Sequence, residues 1–98
     1  MKYIVNFNMD KLIEKHWETH VEKQKHIAIE EMAELTKEVI KDLRGKGDRS
    51  KIIEELADVL IGIESLQLIY DITDKEILLM KWDKELRTLS RIKSGYEK

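Results

Sequence analysis

Residues 52–68 read IIEELADVLIGIESLQL, and the spacing of the apolar residues in this run decides the fold. At 100° per residue, Ile52, Ile53, Leu56, Ala57, Val59, Leu60, Ile61, Ile63, Leu66 and Leu68 cover well over half of a helix's circumference. A surface helix of a globular domain needs an apolar stripe only a little over 100° wide. The segment is therefore either the central helix of a monomeric bundle or a helix packed against a second chain. With 98 residues in all to surround it, the second chain is favoured. What polarity the segment has lies in one narrow strip, Glu54, Glu55, Asp58, Gly62 and Ser65. Glu55 and Asp58 stand at i, i+3, and Gly62 lies one turn further along. Glycine inside a helix costs roughly 0.5–1 kcal/mol relative to alanine, so it needs a return, either room for a ligand above the carboxylates or close packing of a neighbouring helix.

Outward from this run, the punctuation is sparse. Proline is absent and there are four glycines. Arg44-Gly45-Lys46-Gly47-Asp48 is the clearest break, Asp71-Ile72-Thr73-Asp74 a second, and a third lies near Trp17-Glu18-Thr19. Between them the apolar spacing is helical, with strand-like alternation confined to the first seven residues. Helices are expected at about 9–16, 19–43, 49–70 and 74–93, the ends uncertain by ~2–4 residues. Thr19 with Glu22 and Thr73 with Glu76 have capping-box spacing, while Asn8 and Asp48 suit N-caps. The expectation is one all-α domain over residues 1–98, a four-helix bundle.

On the second expected helix, Val21, Ala28, Met32, Leu35, Val39 and Leu43 gather on one side. Away from them, Glu31, Glu34 and Glu38 form a stripe at i, i+3, i+7, edged by Gln24. A short glycine loop makes the second and third helices antiparallel, which lets their acidic strips face each other. Glu31, Glu34, Glu55 and Asp58 would then converge in one cleft. Two carboxylates 5 Å apart repel by about 3 kcal/mol at an effective dielectric of 20. Without cations such a cluster must splay or take up protons. All-oxygen ligation points to Mg²⁺ or Mn²⁺ rather than Zn²⁺. The plainer reading of the same residues is a solvated acidic face.

Composition limits the alternatives. Charged residues reach 39%, but 20 acids against 18 bases leave a net charge of −2. That balance removes any general electrostatic reason to bind nucleic acid or an anionic membrane. On the fourth expected helix Lys84, Arg87 and Arg91 form one basic stripe opposite Trp82, Leu86 and Leu89; three bases do not offset the acidic faces around them. With no cysteine there is no disulfide, thiolate metal site or cysteine nucleophile. No apolar run approaches the ~20 residues of a membrane span, and no signal-peptide pattern is present. The expected location is the cytoplasm.

These residues carry a resemblance. Glu30-Glu31-Met32-Ala33-Glu34-Leu35 is similar to the EExxE motif, and Glu55-Leu56-Ala57-Asp58-Val59 to the ExxD motif, of the all-α nucleoside triphosphate pyrophosphohydrolases. The chain resembles their MazG-like branch from about Trp17 to Ile92. The resemblance implies hydrolysis of a nucleoside or deoxynucleoside triphosphate to the monophosphate and pyrophosphate, dependent on Mg²⁺ (or Mn²⁺). It further implies active sites that form in homo-oligomers, dimers or tetramers. By the same resemblance Glu31, Glu34, Glu55 and Asp58 would be the metal ligands, with Glu30 pointing about 100° away from Glu31. Glu34 or Glu38 would take the proton of the attacking water. Lys84 and Arg87, with Arg91, match the family's phosphate-contacting helix. Gln24 sits where relatives carry a polar residue near the nucleotide, and Trp17 either stacks on the base or anchors the core. The segment before Thr19 is brief and the loop between motifs is short, which bears on base selectivity. Phosphoribosyl-ATP pyrophosphatases share the core, but the residues after Asp58 do not look like theirs. The alternative reading is a non-catalytic helical oligomer whose acidic cleft binds a cation or a partner protein.

Overall fold

The computed structural model describes residues 20–95, which are helical throughout apart from the connections and contain no strand. Helix α1 is Val21–Leu43, α2 is Arg49–Ile69 and α3 is Asp74–Lys93. The helix expected at 9–16, the Asn8 cap and the alternating first seven residues lie outside the described residues. No described helix is long and apolar enough to cross a membrane.

Local chemistry accounts for the ends. Asp48 caps α2, its Oδ1 accepting from the amides of Ser50 at 2.9 Å and Lys51 at 3.4 Å. The capping box of α3 forms as expected. Thr73 Oγ1 accepts from the Glu76 amide at 3.2 Å, and the Thr73 amide donates to Glu76 Oε2 at 2.7 Å. Thr19 and the box expected there lie outside the described residues; α1 begins behind His20, which offers no side-chain cap. Both α1 and α2 end in Schellman motifs. After α1, Gly45 takes φ 77°, with Lys46 N–H donating to the Lys41 carbonyl and Gly45 N–H to that of Asp42, both at 2.9 Å. After α2, Asp71 fills the left-handed position at φ 53°, and Ile72 N–H reaches the Gln67 carbonyl at 2.8 Å. Aspartate is one of the few residues other than glycine that tolerate that conformation.

The five-residue connection 44–48 folds α1 and α2 into an antiparallel hairpin, and these two helices pack against each other along their length. Its open end is closed by Lys25, whose Nζ lies 4.8 Å above the Tyr70 ring. The faces that meet are mixed, apolar and polar together, with Ile52, Leu60, Ile63 and Leu66 of α2 also half-buried. From α1 the contact buries Gln24, Ala28 and Glu38 and half-buries Ile27, Glu31 and Leu35. From α2 it buries Gly62 and Ser65 and half-buries Glu55, Asp58 and Val59. Ala28, 1% exposed, is the one fully buried apolar residue among those described. Meanwhile Ile29, Met32, Val39, Ile40 and Leu43 of α1 and Ile53, Leu56, Ile61 and Leu68 of α2 are exposed. The hairpin thus leaves part of its apolar surface outside, and α2 is not the central helix of a bundle within the described residues.

Helix α3 lays no face against α1 or α2. It is tied to the hairpin at its base, where Gln67 Nε2 donates to Asp74 Oδ1 at 2.8 Å and to the Ile72 carbonyl at 3.4 Å. Beyond that joint it is an exposed arm.

The glycine in α2 returns its cost through packing. A Cβ at Gly62 would stand 3.3 Å from Ala28 Cα and 3.4 Å from Ala28 Cβ, so the two helices approach closest where both lack bulk. Gly62→Leu is expected to force the helices apart and to destabilise the fold by about 1–3 kcal/mol. Chemical denaturation monitored by circular dichroism checks this.

Candidate metal centre in the hairpin

The carboxylates come together because helical spacing and hairpin geometry act in sequence. The i, i+3 step puts Glu55 and Asp58 on the side of α2 that contains Gly62, and close approach at Gly62 holds that side against α1. Glu31, one turn beyond Ala28, then faces them. One ligand oxygen from each of Glu31, Glu55 and Asp58 lies within 4.8 Å of the others. All three side chains are half-buried.

Glu34, the fourth expected ligand, is exposed and outside this triplet, although its charge acts on Glu31 and Glu55. Glu38 is 6% exposed, deep in the helix contact, and pairs with Lys41 at 3.3 Å. Lys41 stands at i, i+3 from Glu38, and that spacing is the signal in the sequence for this pair. Gln24 is also enclosed in the helix contact, away from an open nucleotide pocket, and Trp17 lies outside the described residues. Glu30 is exposed on the far side of Glu31.

The basic stripe is not brought to the carboxylates within one chain, because α3 packs on neither hairpin helix. On that helix Arg87 pairs with Asp83, and Lys81 with Glu85 at 2.9 Å. Lys84 and Arg91 face no carboxylate within ion-pair distance among the described residues.

Electrostatics of the triplet follow from crowding. Burial, then the charge of Asp58, then that of Glu55 push the Glu31 carboxyl above its ordinary value of 4.5, and a hydrogen bond with Asp58 adds to the rise. Glu55 is raised for the same reasons, burial first and Asp58 next, with Glu34, Glu54 and Glu38 behind. Both carboxyls therefore keep their protons to higher pH than isolated ones do.

The donor set fits a hard divalent cation. Three carboxylate oxygens, with no histidine or cysteine in the group, suit Mg²⁺ or Mn²⁺. Two oxygens on opposite sides of one Mg²⁺ stand roughly 4.2 Å apart, so oxygens already within 4.8 Å reach such an ion by small side-chain adjustment. No family model, no curated protein and no solved structure matches the chain.

Because Glu31 and Glu55 bind protons more tightly when folded, their contribution to stability is complete below pH 4.5 and is lost as pH rises through their elevated values. Metal-free protein should therefore lose stability as pH rises from 4.5 toward neutrality, and Glu55→Gln should flatten that dependence. Added Mg²⁺ should reverse the trend for the wild-type chain and have no such effect on the variant. Denaturant titrations across pH, with and without Mg²⁺, provide the measurement.

Proposed function

We propose that the chain is a MazG-like, Mg²⁺-dependent pyrophosphohydrolase of nucleoside or deoxynucleoside triphosphates that works as a homo-oligomer, a dimer or tetramer. One observation carries this reading. The acidic residues of the EExxE-like and ExxD-like segments, 20 residues apart in the chain, meet as Glu31, Glu55 and Asp58 on the inner side of one hairpin.

In this reading Glu31, Glu55 and Asp58 hold the cation, with Glu34 at the edge of the cluster. A cation held by these residues would supply positive charge against the triphosphate and would favour loss of a proton from the attacking water. Of the two carboxylates considered for the water's proton, exposed Glu34 suits the task, whereas Glu38 is enclosed and engaged by Lys41. Lys84, Arg87 and Arg91 supply the fixed positive charge that the departing pyrophosphate needs. The reaction adds water at the α-phosphorus and breaks the bond to the β-phosphate oxygen. Oligomerisation is supported by the outward apolar faces of the hairpin, where Ile29, Met32, Leu56 and Ile61 are exposed. A chain of this kind would limit nucleotide pools or remove unwanted nucleotides in the cytoplasm.

Pyrophosphate release from a panel of canonical and modified nucleoside triphosphates in Mg²⁺ is the test. Turnover is expected to vanish with EDTA and to fall about 100-fold or more in Glu31→Ala, Glu55→Ala and Asp58→Ala, with helicity and oligomer size retained. Thermal stabilisation by Mg²⁺ with no release from any nucleotide would favour the alternative, a non-catalytic oligomer with a cation- or partner-binding cleft.

A further inference from the structure

We infer that Ile72 is the hinge between the hairpin and α3 and that Gln67 clamps it, a positioning residue that fixes where the basic stripe of α3 stands. What the stripe does rests on the proposed function; the clamp rests on the geometry of the elbow alone.

The elbow is Tyr70-Asp71-Ile72-Thr73, and hydrogen bonds hold it from both sides. On the α2 side the N–H groups of Tyr70 and Ile72 donate to the carbonyls of Leu66 and Gln67 at 3.0 and 2.8 Å. The chain is thereby tied to α2 as far as the nitrogen of Ile72. On the α3 side the N–H of Thr73 donates to Glu76 Oε2 at 2.7 Å within the capping box, so the chain is tied to α3 from the nitrogen of Thr73 onward. Between these two nitrogens lie the φ and ψ of Ile72, the pair of soft torsions that falls outside both ties.

Gln67 spans that gap. From the last turn of α2 its Nε2 donates to the carbonyl of Ile72 at 3.4 Å and to Oδ1 of Asp74, the first residue of α3, at 2.8 Å. Both Gln67 and Asp74 are half-buried. Packing does not hold the angle instead, since α3 lays no face on either hairpin helix and residues 75–93 are all exposed.

Leverage makes the clamp matter. At 1.5 Å per residue, Lys84 stands about 15 Å along α3 from Asp74 and Arg91 about 26 Å. A swing of roughly 20° at Ile72 carries them about 5 and about 9 Å. A misplacement of about 1 Å is enough to cost a reaction roughly 100-fold. One amide at the root of the helix therefore governs where the cations further along it stand.

The chain has no cysteine, so spin labels go only where they are placed. Lys37→Cys on α1 and Ser90→Cys on α3 substitute exposed residues outside the proposed site. With labelled chains diluted in an excess of unlabelled ones, double electron–electron resonance should give one narrow intrachain distance. Gln67→Met keeps the length and loses the donor. It should broaden that distance by about 8 Å, the displacement of residue 90 for the same swing. Gln67→Lys, which restores a donor, should narrow it again. Helix content by circular dichroism should stay constant throughout. An unchanged distribution in Gln67→Met, or one already as broad in the wild type, overturns the clamp.

Turnover gives a second readout. Pyrophosphate release should fall about 100-fold in Gln67→Met and return in Gln67→Lys. Unchanged turnover in a variant whose distances have spread overturns the positioning role. If the wild type releases no pyrophosphate, the proposed function falls and the role of the stripe with it, while the distances still decide whether Gln67 clamps the hinge.

Discussion

Like charge held between two helices is the constraint on which the rest of this molecule depends. Glu31, Glu55 and Asp58 repel one another, yet the hairpin holds them on its inner side, where Gly62 lets the backbone of α2 approach Ala28. Repulsion of this kind is tolerated only if protons or cations relieve it. Raised proton affinity at Glu31 and Glu55 is the apo protein's partial answer. The Lys41–Glu38 pair is another, neutralising the most enclosed carboxylate from its own helix.

Committing the inner faces to polar chemistry has a structural cost. A helix pair usually gains its stability from apolar surface removed from water. Here the inner contact contains Gln24, Glu38 and Ser65, while Ile29, Leu56, Ile61 and their neighbours remain outside. The same rotation of α1 about its axis that brings Glu31 toward Asp58 swings Met32 and Val39 outward. Site and surface are in this sense one decision, since neither helix could present its carboxylates inward and its wide apolar arc inward as well.

Much of this was legible in the sequence, for reasons that are local. Asp48 and the Thr73–Glu76 box mark helix starts because a cap is satisfied by residues two or three positions away. The convergence of Glu31, Glu55 and Asp58 followed from i, i+3 spacing and a short loop. What escaped depends on tens of degrees of helix rotation or on chain direction. Gln24 lies at the edge of the acidic stripe and Glu38 within it, and spacing alone does not tell whether either faces a neighbour or water. The arm was read as part of a bundle because a four-residue connection says that two helices are close in sequence, and nothing about whether they lie side by side.

The hairpin also separates how quickly the chain acquires structure from how much stability it gains. Its helix contacts join segments adjacent in sequence across five connecting residues, so little loop entropy opposes its closure and it belongs to the rapidly forming class of folds. Yet the contact that closes first buries one apolar residue fully and several polar ones. A nascent chain would therefore acquire its helices and its carboxylate cluster early and reversibly. Protection of backbone amides against solvent would remain shallow until the outward apolar faces were covered.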